Sequence, residues 1–382
     1  MVTKATNPIY LDHNATTPLL PEVVDAMLPY LREDFGNPSS GHVYGSRART
    51  AVARARERVA ALIDCDADEI VFTSGGTEAN NLAIRGVMEA IERRRHVMTT
   101  VIEHAATLRP CAWLERHGCR VGRVGVDAEG RASEDAAREA IDGDTALVSV
   151  MHSNNETGVL QPVEAIAQLA HAAGALVHTD AAQSLGKVPV RVRELDVDLL
   201  SIAGHKVYAP KGVGALYVRR GTPLMPFALG ANHERGWRPG TENVASIVGF
   251  GVACESVGRD LGEAAARMKR LRDLLWLQLE SRVPGLVLNG HRELRLPNTL
   301  NVRFPRVGGS AVLDEALEVA ASTGSACHEG HESASTVILA MGVTPDEALG
   351  SVRLTLGRNT TKEEIIRAAT ALAVAWTKRS SG

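Results

Sequence analysis

A chain of 382 residues, 45% apolar and 23% charged with a formal charge of -3, has the composition of an ordinary globular protein of about two domains. The near-neutral balance lacks the basic excess of a nucleic-acid binder. The segment Met1–Asn14 contains no apolar stretch of the signal-peptide kind, and no apolar run reaches the roughly 18–20 residues of a membrane span, so the expected location is the cytoplasm, away from any membrane.

In chain order, Pro21–Arg32 and Ser46–Ile63 read as helices and Ile70–Thr73 as a short apolar strand. Glu78–Arg94 reads as a helix, Val97–Val101 as a strand and Ala106–His117 as a helix. Strands follow at Val121–Val126 and Ala146–Met151. A helix spans Pro162–Ala173, with proline suited to its first turn and Gly174 to its stop. Strands close the series at Leu176–Thr179, Leu199–Ala203 and Gly214–Val218. Such alternation predicts an α/β fold with a largely parallel sheet. After Gly258 the texture changes to a long polar helix, Arg259–Arg282, with Met268, Leu271, Leu275 and Leu279 at helical spacing. The expected division is a large domain over 16–257 and a smaller α+β domain over 258–382, with 1–15 packed on the smaller one.

Ligands of open parallel sheets collect beyond the carboxyl ends of the strands, and polar residues cluster at those ends here. Ile70–Thr73 runs into Ser74-Gly75-Gly76-Thr77 and a helix. By itself that is an ordinary turn, and it is also the shape that presents free backbone N–H groups to an anion. Other strands run into His152-Ser153-Asn154-Asn155-Glu156, Asp180-Ala181-Ala182-Gln183 and Gly204-His205-Lys206. Alone, the aspartate reads as a helix cap and the lysine as a solvated side chain. Together, an anion cradle, a carboxylate and an amine meet the needs of pyridoxal phosphate (PLP), which requires a phosphate site, a Schiff-base amine and a partner for its ring nitrogen.

The chain resembles the cysteine desulfurases of the aminotransferase-type (fold type I) PLP superfamily, the group that includes the nitrogenase-linked and general iron–sulfur desulfurases. The resemblance runs nearly end to end. It is carried by Tyr10-Leu-Asp-His-Asn-Ala-Thr-Thr-Pro18, Gly36-Asn-Pro-Ser-Ser40, Phe72-Thr-Ser-Gly-Gly-Thr-Glu78, His152-Ser-Asn-Asn-Glu-Thr-Gly158, His178-Thr-Asp-Ala-Ala-Gln183, Gly204-His-Lys206 and Gly324-Ser-Ala-Cys327. It implies that Lys206 carries the cofactor, that Asp180 faces the ring nitrogen, and that Asn155 and Gln183 bind the ring hydroxyl. His104 matches the histidine stacked on the ring, which also assists proton transfer. Gly76, Thr77 and His205 match phosphate ligands, and Thr241 a phosphate ligand given across a homodimer interface. Arg353, with Asn155, matches the group that grips the substrate carboxylate. Where the family pattern reads Ser-x-Ser-Gly-His-Lys, this chain reads Ser201-Ile202-Ala203-Gly204-His205-Lys206. Ala203 cannot donate to phosphate, and Ser201 is the nearest replacement on the same strand face.

Five cysteines, Cys65, Cys111, Cys119, Cys254 and Cys327, are odd in number and scattered, with no Cys-x-x-Cys pair, and do not form a disulfide framework. Cys65 and Cys254 read as small buried hydrophobes, and Cys111 and Cys119 as packing residues. Cys327 differs, for it lies among small and polar residues beside His328 and His331. Neighbouring histidines favour the nucleophilic thiolate. That group is too small to read as a metal centre. The resemblance implies that Cys327 takes sulfur from L-cysteine as a persulfide, releases L-alanine and passes the sulfur to an acceptor protein serving iron–sulfur assembly or DNA phosphorothioation. A selenocysteine lyase, another PLP-dependent transferase and a non-enzymatic scaffold are the rival readings.

Overall fold

The computed structural model describes residues 7–323 and 333–381. A short strand β1 (Ile9–Tyr10) opens the chain. The strands β2 (Ile70–Thr73), β3 (His96–Thr100), β4 (Arg120–Val124), β5 (Thr145–Ser149), β6 (Leu176–Asp180), β7 (Leu199–Ala203) and β8 (Gly214–Val218) follow. They form one sheet in the order β2-β8-β7-β6-β5-β3-β4. Neighbours run parallel except β8, which is antiparallel to both β2 and β7. Inner strands such as Leu199–Ala203 are buried along their whole length, because helices cover both faces and neither face meets water. On one face, Val59, Ile63, Ile166, Leu185 and Phe250 pack against Phe72, Val148, Val177 and Ile202. On the other, Leu82, Ile84 and Val87 of the helix Gly76–Ala90 pack on Val71, Leu147, Leu199 and Leu216.

A second core has its own sheet. Strands β9 (Val287–Leu288), β10 (Thr299–Arg303), β11 (Val319–Ala320) and β12 (Ser351–Thr355) lie in the last third of the chain. β10 pairs antiparallel with both β9 and β12, and β1 pairs parallel with β11. Leu271, Leu275 and Leu279 of the helix Leu261–Glu280 join Leu300, Val302, Leu354, Ile365, Leu372 and Trp376, together with Ile9 and Leu11 from the start of the chain.

The structure adjusts several expected boundaries. Strands β3, β4 and β5 begin one residue earlier than the apolar runs suggest and end sooner, so Val150 and Met151 are buried in the turn beyond the sheet. The helix expected from Glu78 starts at Gly76, directly on the turn, and ends at Ala90. Pro162 caps its helix rather than entering it. The long polar helix begins at Leu261, separated by Asp260 from an unanticipated helix, Val244–Arg259. That helix is apolar nearly all round, and buried helices of this kind leave no amphipathic signal. The C-terminal helix Lys362–Ser380, opened by a capping box of Thr361 and Glu364, was likewise absent from the sequence reading.

Gly214 brings β8 close enough to support the turn after β2. A Cβ built there would lie 2.4 Å from the Ile202 carbonyl oxygen and 2.7 Å from Gly75 Cα. Both contacts are to backbone, which cannot swing aside. Gly214→Ala is therefore expected to destabilise the chain by about 1–3 kcal/mol, and denaturant unfolding of the two proteins measures this.

Candidate active site

The carboxyl ends of β2, β5, β6 and β7 open into one cavity of about 300 Å³, lined by Gly76, Thr77, His104, Ala106, Met151, Ser153, Asn155, Asp180, Ala182, Gln183, Ala203, His205 and Lys206. Residues from four strand ends and the start of the helix Ala105–Arg116 meet there because a parallel sheet points all its carboxyl ends the same way.

At one wall the helix Gly76–Ala90 begins, with Gly75 as its cap at φ 148°. An L-residue rarely adopts that conformation. Gly76 and Thr77 of the first turn line the cavity beside Ala203, where a helix start leaves backbone N–H groups without an intrahelical acceptor. Ser74 N donates to Glu78 at 2.6 Å, and Glu78 also pairs with Arg238 at 2.9 Å, so the turn is held from outside. His205 lines the same wall. Burial, and then the nearby Lys206 and Lys211, push its imidazole down to about 4, so it is neutral at pH 7.

Asp180 closes β6 and is buried. One carboxylate oxygen accepts from Asn80 Nδ2 at 2.7 Å and the other from Ala182 N at 2.9 Å. Both donors are neutral, which leaves the carboxylate's charge to attract a cationic group in the cavity. Beneath it, His178 is bonded through Nδ1 to Ser149 Oγ and through Nε2 to Ser201 Oγ, each at 2.9 Å. Burial pushes this imidazole down to about 4.

Lys206 ends the turn Gly204–Lys206. Its amine donates to the carbonyls of Asn14 at 2.6 Å and Ala15 at 2.8 Å. Burial, with help from Arg353, pushes it down to about 8. His104 caps the helix Ala105–Arg116, its Nδ1 accepting from Ala106 N at 3.1 Å, so the proton sits on Nε2 when the ring is neutral.

Ser201 is not brought to the cavity. It is wholly buried one layer down and engaged by His178, and the methyl of Ala203 holds the place beside Gly76. Side chains two apart on a strand share a face but sit at different depths, and this depth difference removes Ser201 from the cavity wall. Thr241 is exposed in a loop outside the cavity. Arg353, on β12, also lies outside the cavity lining, behind Asn155. It donates to Asn155 O at 3.1 Å and to Asp12 at 2.8 Å, and its buried Nε has no partner among the described residues. Cys327, with Gly324, His328 and His331, lies outside the described residues. Cys111 and Cys254 are buried, and burial pushes the Cys111 thiol up to about 12 and that of Cys254 higher still. Cys65 and Cys119 are half-buried, Cys65 packed at the edge of the core.

Sequence reasoning passed over Asn14, Asn80 and Asp12 as individual residues. Asn14 and Asp12 stand inside the Tyr10–Pro18 motif. Asn80 is one helical turn beyond Gly76, the spacing that puts two residues on one helix face, and this was the available signal.

The aminotransferase class-V family model matches residues 9–367. A cysteine desulfurase IscS of Dictyoglomus turgidum is 46% identical over 362 residues, covering 94% of this chain and 91% of that protein. Among solved structures, one described as a NifS-like protein superposes with a TM-score of 0.92 at 37% identity, covering 97% of this chain and 100% of the other. DndA from Streptomyces lividans gives 0.78 at 39% identity, covering 89% and 97%.

The lowered Lys206 amine has a direct consequence. Only the neutral amine attacks an aldehyde, and its share grows as pH rises through about 8. Trapping by a small aldehyde with a hydride reductant, read by peptide mass analysis, is expected to level off above that pH at Lys206. An unperturbed lysine reaches its plateau only above about 10.4.

Proposed function

The chain belongs to the aminotransferase class-V family, and from that membership we propose that its cavity holds PLP and that Cys327 is the residue that takes sulfur from L-cysteine. The activity is that of a cysteine desulfurase, as the named relatives and structural neighbours support; a selenocysteine lyase is not favoured. The observation that carries the reading is the meeting, in one cavity, of an anion-ready helix start, a carboxylate with only neutral donors and a half-buried amine.

The residues fit the cofactor. Gly76, Thr77 and His205 would hold its phosphate, Asp180 its ring nitrogen, Asn155 and Gln183 its ring oxygen, and Lys206 its aldehyde carbon, with His104 over the ring. When bound, PLP supplies an electrophilic carbon and a ring that takes up the electron pair released at the substrate carbon. Ala203 gives no hydrogen bond, so phosphate retention rests on the helix start, His205 and a partner subunit's Thr241.

The chain's own groups account for the remaining steps. Arg353 offers the donors not used by Asp12 and Asn155 to the carboxylate of L-cysteine. Lys206, its amine pushed down to about 8, and His104, through Nε2, move protons at the substrate carbons. The Cys327 thiolate attacks the substrate sulfur as the carbon–sulfur bond breaks. The carbon keeps the electron pair and takes up a proton to become L-alanine, and Cys327 keeps a persulfide. Two contacts support this role. Ser322 O accepts from Arg353 N at 2.7 Å, and Ser335 Oγ donates to Glu156 at 2.5 Å, so the chain enters and leaves the Cys327 segment beside the substrate-binding residues. The residues between Ser322 and Cys327 reach at most roughly 17 Å when extended.

The sulfur then goes to an acceptor protein of iron–sulfur assembly or of DNA phosphorothioation, and proteins co-purifying with the chain identify which. The working form is a cytoplasmic homodimer with Thr241 lent across the interface. No helix among the described residues is long and apolar enough to cross a membrane. The loop before Thr241 is anchored by Glu234, which pairs with Arg56 at 2.6 Å and accepts from Phe72 N at 2.8 Å. Sedimentation is expected to give a dimer, and Thr241→Ala a dimer with weakened PLP retention. An active monomer contradicts the shared site.

Cys327→Ser tests the sulfur step. The cofactor and substrate groups remain, so the visible spectrum should still respond to L-cysteine. A hydroxyl is a far weaker nucleophile toward sulfur, so alanine release should fall by orders of magnitude, with no persulfide at 327 by mass analysis. Serine at Cys65, Cys111, Cys119 or Cys254 should leave turnover largely intact. Wild-type alanine and sulfide production by Cys327→Ser overturns the assignment.

A further inference from the structure

Gln183 lines the cavity through a side-chain amide whose two ends are nearly the same shape. Which end faces a ligand is decided by the groups around it. Its Nε2 donates to the Asn14 carbonyl at 2.9 Å. Its Oε1 lies 3.3 Å from Nζ of Lys187, and Lys187 also donates to the Gln183 backbone carbonyl at 2.8 Å. A carbonyl only accepts, and a lysine amine has hydrogens for both oxygens. A flipped amide would set its oxygen against the Asn14 oxygen and its hydrogens against the amine. The two partners therefore leave one orientation, with the second N–H of Nε2 free for the cavity.

Lys187 is almost wholly buried and is not part of the cavity wall. Burial pushes its amine down to about 7. Keeping a lysine in such a place costs stability, and among the described residues its hydrogen bonds go to Gln183. We propose that Lys187 is a positioning residue that locks the Gln183 amide with its N–H toward the ring oxygen of the cofactor. The inference rests on the PLP reading above. Without the lock, the amide oxygen can turn toward an anionic ring oxygen, and a hydrogen bond becomes a repulsion.

The test compares Lys187→Met with Lys187→Gln, two side chains of similar length of which only glutamine keeps an N–H donor. The readouts are the dissociation constant of PLP for the cofactor-free chain and the absorption maximum of the bound cofactor. Lys187→Met is expected to weaken binding about tenfold, the loss of one hydrogen bond to a charged group, and to displace the band. Lys187→Gln is expected within about twofold of wild type. In a Gln183→Leu background, Lys187→Met should add nothing further. Unchanged binding and spectrum in Lys187→Met, an equal loss in both Lys187 variants, or an undiminished effect in the Gln183→Leu background overturns the proposal. If Lys187→Met does not fold, Lys187→Gln decides, since a loss as large as that of Gln183→Leu contradicts the lock. A wild-type chain that binds no PLP removes the cofactor reading as well, whereas normal wild-type binding with silent Lys187 variants removes only this inference.

Discussion

The amine of Lys206 donating to the carbonyls of Asn14 and Ala15 is the contact around which the site is organised. Lys206 sits on the turn that follows β7 of the large sheet, and the strap carrying Asn14 leads directly from Leu11, which is buried in the second core. Asn14 also donates to Thr299 Oγ1 at 2.9 Å and to Asn155 O at 3.3 Å, and accepts from Asn298 at 3.1 Å and from Gln183 at 2.9 Å. A single residue thus connects the amine, Asn155 and Gln183, and the second sheet. The two cores are held in the register the site needs by hydrogen bonds made at the site itself.

Burial does the electrostatic work around that hub. It lowers the amines of Lys206 and Lys187 and keeps His152, His178 and His205 neutral, each pushed down to about 4. It raises the Glu103 carboxyl to about 8, next to His104 in the chain, although Thr100 Oγ1 and Met151 N both donate to one of its oxygens. Around Asp180 the surroundings are thus either neutral or made less cationic, and a carboxylate so placed favours a cationic group beside it. Arg353 is handled differently: it is buried, and its guanidinium pairs with Asp12 at 2.8 Å.

Repeated strand-then-polar-turn units, the Gly75-Gly76 turn, Asp180 and Lys206 were legible in the chain because each is a local pattern with a chemical reason. A continuous apolar run bounded by a polar turn implies a buried strand, and three such ends in one parallel sheet imply a common site. The sequence by itself therefore determined the α/β class and which residues would gather at the strand ends. Tertiary structure alone decided what depends on depth and on distant partners. It put Ser201 under His178 instead of at the cavity wall, set Arg353 behind Asn155 in Asp12's grip, and tied Asn14 to both Lys206 and Gln183. It also revealed the helix Val244–Arg259, whose all-round burial erases the periodic signal. Alternation along a strand tells which face a side chain takes, but not how far along the strand the ligand reaches, and no local pattern records which carbonyl will meet a lysine from the far side of the fold.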